Sequence, residues 1–78
     1  MSTGIKLPHL QAWRLWKGVL QQELAEQSGV TQATISRIEN GGEARLGTIA
    51  KLAKGLGISR EQLLHAQPGE KKERRAVA

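Results

Sequence analysis

The sequence predicts an all-α fold, a compact bundle of five short helices in one small domain, and three observations lead there. The chain has 78 residues, and nine glycines break it into stretches whose apolar residues recur three and four apart, the spacing of one helix face. Aromatic residues are only 3%, two tryptophans with neither Phe nor Tyr, so the core is aliphatic. A sandwich or barrel built on aromatic and β-branched strands is disfavoured. Finally, a chain this short buries only about 60% of the surface its unfolded form exposes, which suffices for one core and disfavours a deep catalytic cleft.

Cysteine is absent, which removes disulfides, thiolate nucleophiles and thiolate metal sites together and points to a cytoplasmic protein held by packing alone. No apolar run approaches the ~20 residues of a membrane span, and the start has no basic flank followed by an apolar signal core. Twelve Lys and Arg face seven acids, all of them Glu, giving a net charge of +5 and a pI of about 10.3. Such a balance suits a polyanionic partner. Within residues 1–66, however, eight cations meet five glutamates, a net of +3, so charge alone does not decide the function.

The elements follow in order. Residues 1–5 form a small polar arm without periodicity. The first helix begins at Pro8, a residue tolerated in a first helical turn, and sets Leu10, Trp13 and Lys17 on one face before Gly18 ends it. The second, residues 21–27, buries Leu24 and Ala25 and stops at Ser28-Gly29, where glycine supplies the positive φ of a helix terminus. Thr31 then caps a third helix that carries Ile35 and Ile38 inward and ends at Asn40-Gly41-Gly42. A fourth, residues 46–55, presents Leu46, Ile49, Leu52, Ala53 and Leu56. Ser59 with Gln62 makes a capping box for the fifth, which buries Leu63. None reaches the ~12 to 15 residues at which an isolated helix is even marginal, so each depends on the others. The domain is placed at residues 6–66, and 67–78 is read as a charged, disordered tail too poor in apolar residues to offset its ordering entropy.

Residues 21–41 read QQELAEQSGVTQATISRIENG: a short helix, a glycine turn, a hydroxyl N-cap and a second short helix that starts with small polar residues. This is the pattern of a helix-turn-helix, with Ala25 small where the two helices cross, Gly29 making the turn, Val30 plugging the corner and Ile35 and Ile38 holding the second helix to the core. The stretch resembles the Cro, phage-repressor and Xre family of DNA-binding domains. The resemblance implies a lambda-repressor-like bundle over residues 6–66 and, as its setting, a prokaryote or phage.

The resemblance also assigns roles. Arg14 stands where the family has an Arg on its first helix that pairs with the Glu of the closing Glu39-Asn40-Gly41, which implies a partly buried Arg14–Glu39 ion pair. Gln21 matches a family Gln that bonds a DNA phosphate and braces the first side chain of the recognition helix, here Gln32. Leu20 departs from the pattern, since the family usually places Ser, Thr or Asn there as cap and phosphate contact, so the second helix is expected to be less well capped.

With Ile35 and Ile38 buried, the opposite face of the third helix shows Gln32, Ala33, Ser36 and Arg37, which are assigned to bases. Gln can bond adenine through N6 and N7, Arg can bond guanine through O6 and N7, and the Ala33 methyl suits a thymine methyl. Thr31, Thr34, Asn40 and Arg45 lie around the helix ends and, with Gln21, are assigned to phosphate, which positions the protein without specifying sequence. Glu43, in the short loop after the recognition helix, would repel phosphate.

The remaining singular residues read as ordinary structure. Trp13 belongs to the core, whereas Trp16 stands off that face, covering the turn before the second helix or meeting a partner. His9 and His65 are surface histidines without ligand companions, so neither metal nor cofactor is expected. Lys71, Lys72, Arg74 and Arg75 are read as part of a solvated tail. No paired acids, nucleophile with a base, or phosphate-cradling glycine loop marks an enzyme. The expected function is a sequence-specific transcriptional regulator, a repressor, binding a palindromic operator in double-stranded DNA as a homodimer through Leu56, Ile58 and Leu64. The alternative is a protein-interaction module of the same fold, such as an antitoxin that binds a toxin.

Overall fold

The computed structural model describes residues 4–69, in the order β1 (Ile5–Lys6), α1 (Leu10–Trp16), α2 (Gln21–Ser28), α3 (Gln32–Glu39), β2 (Glu43–Ala44), α4 (Leu46–Leu56) and α5 (Arg60–His65). Most of the expected arm and of the expected tail, residues 1–3 and 70–78, lies outside the described residues.

Each helix delivers at least one fully buried aliphatic side chain to a common centre: Leu10 from α1, Leu24 from α2, Ile35 and Ile38 from α3, Ile49 and Leu52 from α4, and Leu63 from α5. Burying one such side chain is worth about 1.5 to 3 kcal/mol, which is how helices of six to eleven residues hold together when none is stable alone. Trp13 joins this core and donates its indole N–H to the carbonyl oxygens of Ala66 at 2.9 Å and Gln62 at 3.2 Å, tying α1 to the end of α5.

Several details differ from the sequence reading. Helix α1 starts at Leu10, not Pro8, because Leu7 is itself buried and the chain must turn at Pro8-His9 to return, with the Leu10 N–H reaching the Leu7 carbonyl. Ile5 is not part of a free arm: it pairs antiparallel with Ala44, and Lys6 sits opposite Glu43, a favourable cross-strand charge pair. Helix α4 runs one residue past Gly55 to Leu56, and Gly57 (φ +75°) caps it in the left-handed conformation. Leu46 is 58% exposed, because the first turn of α4 overhangs the edge of the bundle and the buried face begins only at Ile49.

Gly55 has another task. A Cβ there would lie 2.9 Å from Ser28 Cβ and 3.1 Å from Ser28 Cα, so α2 and α4 cross with their backbones nearly touching. That crossing sets the pose of α2, which leads through the Gly29 turn into α3. Leu56, expected at a dimer surface, is only 5% exposed, because it continues the stripe of Ile49, Leu52 and Ala53 into the core. Ile58 and Leu64 are half-buried and pack against the same core. Among the described residues, no helix is long and apolar enough to cross a membrane.

Candidate nucleic-acid interface

The interface is built outward from Arg14. Its Nε donates to Glu39 Oε2 at 2.7 Å and a terminal nitrogen donates to Glu39 Oε1 at 3.2 Å, a bidentate pair between α1 and the last residue of α3. The other terminal nitrogen donates to the Val19 carbonyl at 2.9 Å. The two side chains are 9% and 3% exposed, so this is the partly buried ion pair that the Glu39-Asn40-Gly41 motif implies. Planar, two-point pairing fixes an angle as well as a distance, and the angle fixed here is that of α3.

Gln21, the first residue of α2, donates its side-chain amide to Glu39 Oε1 at 3.0 Å. Its anchor is therefore Glu39, where the family resemblance pointed to Gln32. Glu39 is the better acceptor because it is ionised, already positioned by Arg14, and close to the start of α2. One carboxylate thus joins α1, α2 and α3. Leu20 supplies no capping oxygen, but its backbone N–H donates to Glu23 Oε1 at 2.8 Å, half of a capping box.

Between α2 and α3 the chain turns at Gly29 (φ +80°), a conformation that costs other residues strain. Ser28 Oγ accepts from the Val30 N–H at 3.1 Å, and Val30 is buried in the corner. Thr31 caps α3 as expected, its Oγ1 accepting from the Thr34 N–H at 3.2 Å and donating to Thr34 Oγ1 at 2.8 Å. With Ile35 and Ile38 turned fully inward, Gln32, Ala33 and Arg37 are exposed and Ser36 is half-buried.

The candidate base-facing residues are therefore on one free face, but Arg37 is not idle. Its guanidinium donates to the Glu43 carbonyl at 3.1 Å, in space left by Gly42, where a Cβ would come within 2.9 Å of the Arg37 side chain. That bond occupies one of the N–H donors of the guanidinium. Asn40 is likewise engaged, its amide donating to the Ser36 carbonyl at 2.9 Å at the end of α3. Thr31 and Arg45 are exposed at the two ends of the α3 region, and Thr34 and Gln21 are half-buried. Sequence reasoning missed the Gln21–Glu39 bond and the role of Glu43 as backbone support. The polar residue opening α2 was the signal for the first, and no signal was present for the second.

The sequence model of the family HTH_3, helix-turn-helix, matches residues 10–63. Among solved structures, the chain is similar to the restriction-modification controller protein C.AhdI from Aeromonas hydrophila, with 34% identity and a TM-score of 0.68 over 70% of this chain and 85% of that one. It is similar to the controller protein C.Esp1396I, with 31% identity and a TM-score of 0.61 over 64% of this chain and 66% of that one. A third similarity is to an HTH_3 family transcriptional regulator from Vibrio cholerae, with 28% identity and a TM-score of 0.69 over 70% of this chain and 32% of that longer one. With the helix-turn-helix, its glycine turn and its Arg14–Glu39 brace in place, the chain belongs to the Cro/C1/Xre-type helix-turn-helix family of DNA-binding transcriptional regulators.

Proposed function

We propose that this regulator is a cytoplasmic protein that binds a palindromic operator as a homodimer, places α3 in the major groove of each half-site, and represses by occupying the operator. The observation that carries the reading is the exposed row Gln32, Ala33 and Arg37 on a helix whose other side is fully buried and whose end is fixed by the Arg14–Glu39–Gln21 cluster. Side chains that must match base edges need a backbone that does not rotate, and the cluster supplies that rigidity.

In this reading Gln32 and Arg37 pair with adenine and guanine, Ala33 meets a thymine methyl, and Ser36 makes a shorter polar contact. Gln21, Thr31, Thr34, Asn40 and Arg45 set the register on phosphates. The similarity to two restriction-modification controller proteins supports a regulator of that kind.

Selection from a pool of random duplexes with the full chain tests the proposal. Enrichment of a palindrome whose half-sites lie about one helical turn apart is the expected result. If no sequence is enriched, the operator reading fails and the protein-interaction module, an antitoxin for example, takes its place.

A further inference from the structure

The backbone that closes the end of α3 also reaches the Arg37 side chain. The Gly42 N–H donates to the Arg37 carbonyl at 2.9 Å and the Gly41 N–H to the Ile38 carbonyl at 3.1 Å, the bonding of a Schellman turn, with Gly41 at φ +102°. One residue on, the Glu43 carbonyl accepts from a terminal nitrogen of Arg37 at 3.1 Å. Gly42 makes room for this bond. A Cβ there would lie 2.9 Å from Arg37 Cγ, 2.9 Å from that nitrogen and 2.8 Å from the Arg37 carbonyl oxygen. Gly42 has no positive φ, so glycine is required by the space that Arg37 occupies and not by the backbone conformation.

The accepting carbonyl is itself held in place. Glu43 lies in β2 opposite Lys6 of β1, and the two strands are anchored beside that pair by Ala44 and Leu7, 3% and 2% exposed. Gly4 lets the strands close up, since a Cβ there would lie 2.6 Å from Glu43 Cβ. An exposed arginine has many rotamers, and fixing it on a base loses their entropy unless the side chain is already ordered. The Glu43 carbonyl takes one N–H of the guanidinium, and the paired N–H groups that a guanine edge accepts remain among its other donors.

We propose that Gly42 and the Glu43 carbonyl position Arg37 for base recognition: the carbonyl, fixed by the β1–β2 ladder, holds the guanidinium in the orientation in which its remaining donors meet guanine, and Gly42 leaves the space for it. The proposal rests on the reading of Arg37 as a base contact. It adds that the specificity of that contact is set by residues that touch no base.

The test is competition between the selected operator and operators changed at single base pairs, for the full-length wild type, Arg37→Ala, Gly42→Ala, the double variant and Gly4→Ala, each checked for folding by circular dichroism. Arg37→Ala identifies the base pair concerned, where a bidentate arginine discriminates by roughly fivefold to 150-fold. Gly42→Ala is expected to lose about threefold or more of that discrimination and to keep the preference at other base pairs. A mere loss of folded protein would weaken every duplex equally and move no preference. The double variant is expected to match Arg37→Ala, because the added Cβ then has no guanidinium to displace. Gly4→Ala, which parts β1 from β2 at Glu43, is expected to shift the same base pair by a smaller factor, and it decides the matter if Gly42→Ala does not fold.

A folded Gly42→Ala with wild-type preference overturns the proposal. So does one with sharper preference, since the carbonyl would then hold Arg37 away from the base. A double variant that loses more preference than Arg37→Ala assigns the effect to the α3 backbone and overturns it as well. If only Gly4→Ala folds, its unchanged preference is the overturning result. Failure of the underlying reading looks different: Arg37→Ala weakens operator and random duplex equally, and the positioning role falls with it.

Discussion

Arg14 and Glu39 are joined by two hydrogen bonds, 2.7 and 3.2 Å long, across 25 residues of chain, and both side chains are almost wholly withdrawn from solvent. Replacing such a pair with apolar residues is often neutral, but removing one partner leaves a charge without its counterpart in a dry place. Arg14→Ala is therefore expected to cost about 3 to 5 kcal/mol, with the Gln21 amide left as a neutral and insufficient partner for Glu39. Thermal unfolding checks this: a fall in Tm of roughly ten degrees or more is expected for a domain of this size. The double variant Arg14→Leu with Glu39→Leu should lose less than the two single changes added together.

Two glycines of α4 should respond in opposite directions to the same change. A Cβ added at Gly47 would meet nothing within 4 Å, and the residue has no positive φ, so Gly47→Ala is expected to stabilise by about 0.5 to 1 kcal/mol through helix propensity. Gly55→Ala gains the same propensity but drives a Cβ to 2.9 Å from Ser28 Cβ and 3.1 Å from its Cα, and overpacking of that kind costs about 1 to 3 kcal/mol. Denaturant melts of both variants settle the matter. Two glycines with equal effects would mean that α2 moves away from α4 without cost.

Arg37→Ala is expected to lose about 1 to 3 kcal/mol on the selected operator and to relax discrimination at one base pair of each half-site. In the free protein Arg37 spends one of its N–H donors on the Glu43 carbonyl, and its other donors are the ones expected to meet the base. Binding to specific and random duplexes at one salt concentration separates the roles. Equal weakening on both would make Arg37 a phosphate contact.

The helices and their turns were legible because their signals are local: Gly29 and Thr31 mark a turn and a cap whatever surrounds them, and Ile35 and Ile38 are spaced for one face. The Arg14–Glu39 pair was legible only through the family resemblance, since nothing in the spacing of 25 residues brings the two together. The β1–β2 ladder was not legible, because two-residue strands are too short to show a period of two. Leu46 and Leu56 were misplaced for a shared reason. Periodicity says which residues share a face of α4, but not where along the helix its neighbours begin and end, so the overhanging Leu46 read as core and the covered Leu56 read as surface.

A single short recognition helix reads too few base pairs for a useful specificity ratio, so the regulator is expected to act as a two-fold dimer with its α3 helices about 34 Å apart. The surface that joins the copies must leave α3 to the DNA. Of the three residues expected there, Leu56 is committed to the core, which leaves Ile58 and Leu64, half-buried at the junction of α4 and α5. Leu64→Glu is expected to give a folded monomer with weakened operator binding, because the exposed part of the side chain is what a partner would cover. Leu56→Glu should instead unfold the chain, since a carboxylate in a position that is 5% exposed has no partner. Sedimentation read together with circular dichroism distinguishes the two variants. A wild type that stays monomeric at high concentration and binds one half-site with full affinity defeats the dimer, and a Leu64→Glu that unfolds moves Leu64 from the interface to the core and leaves Ile58 as the residue to test.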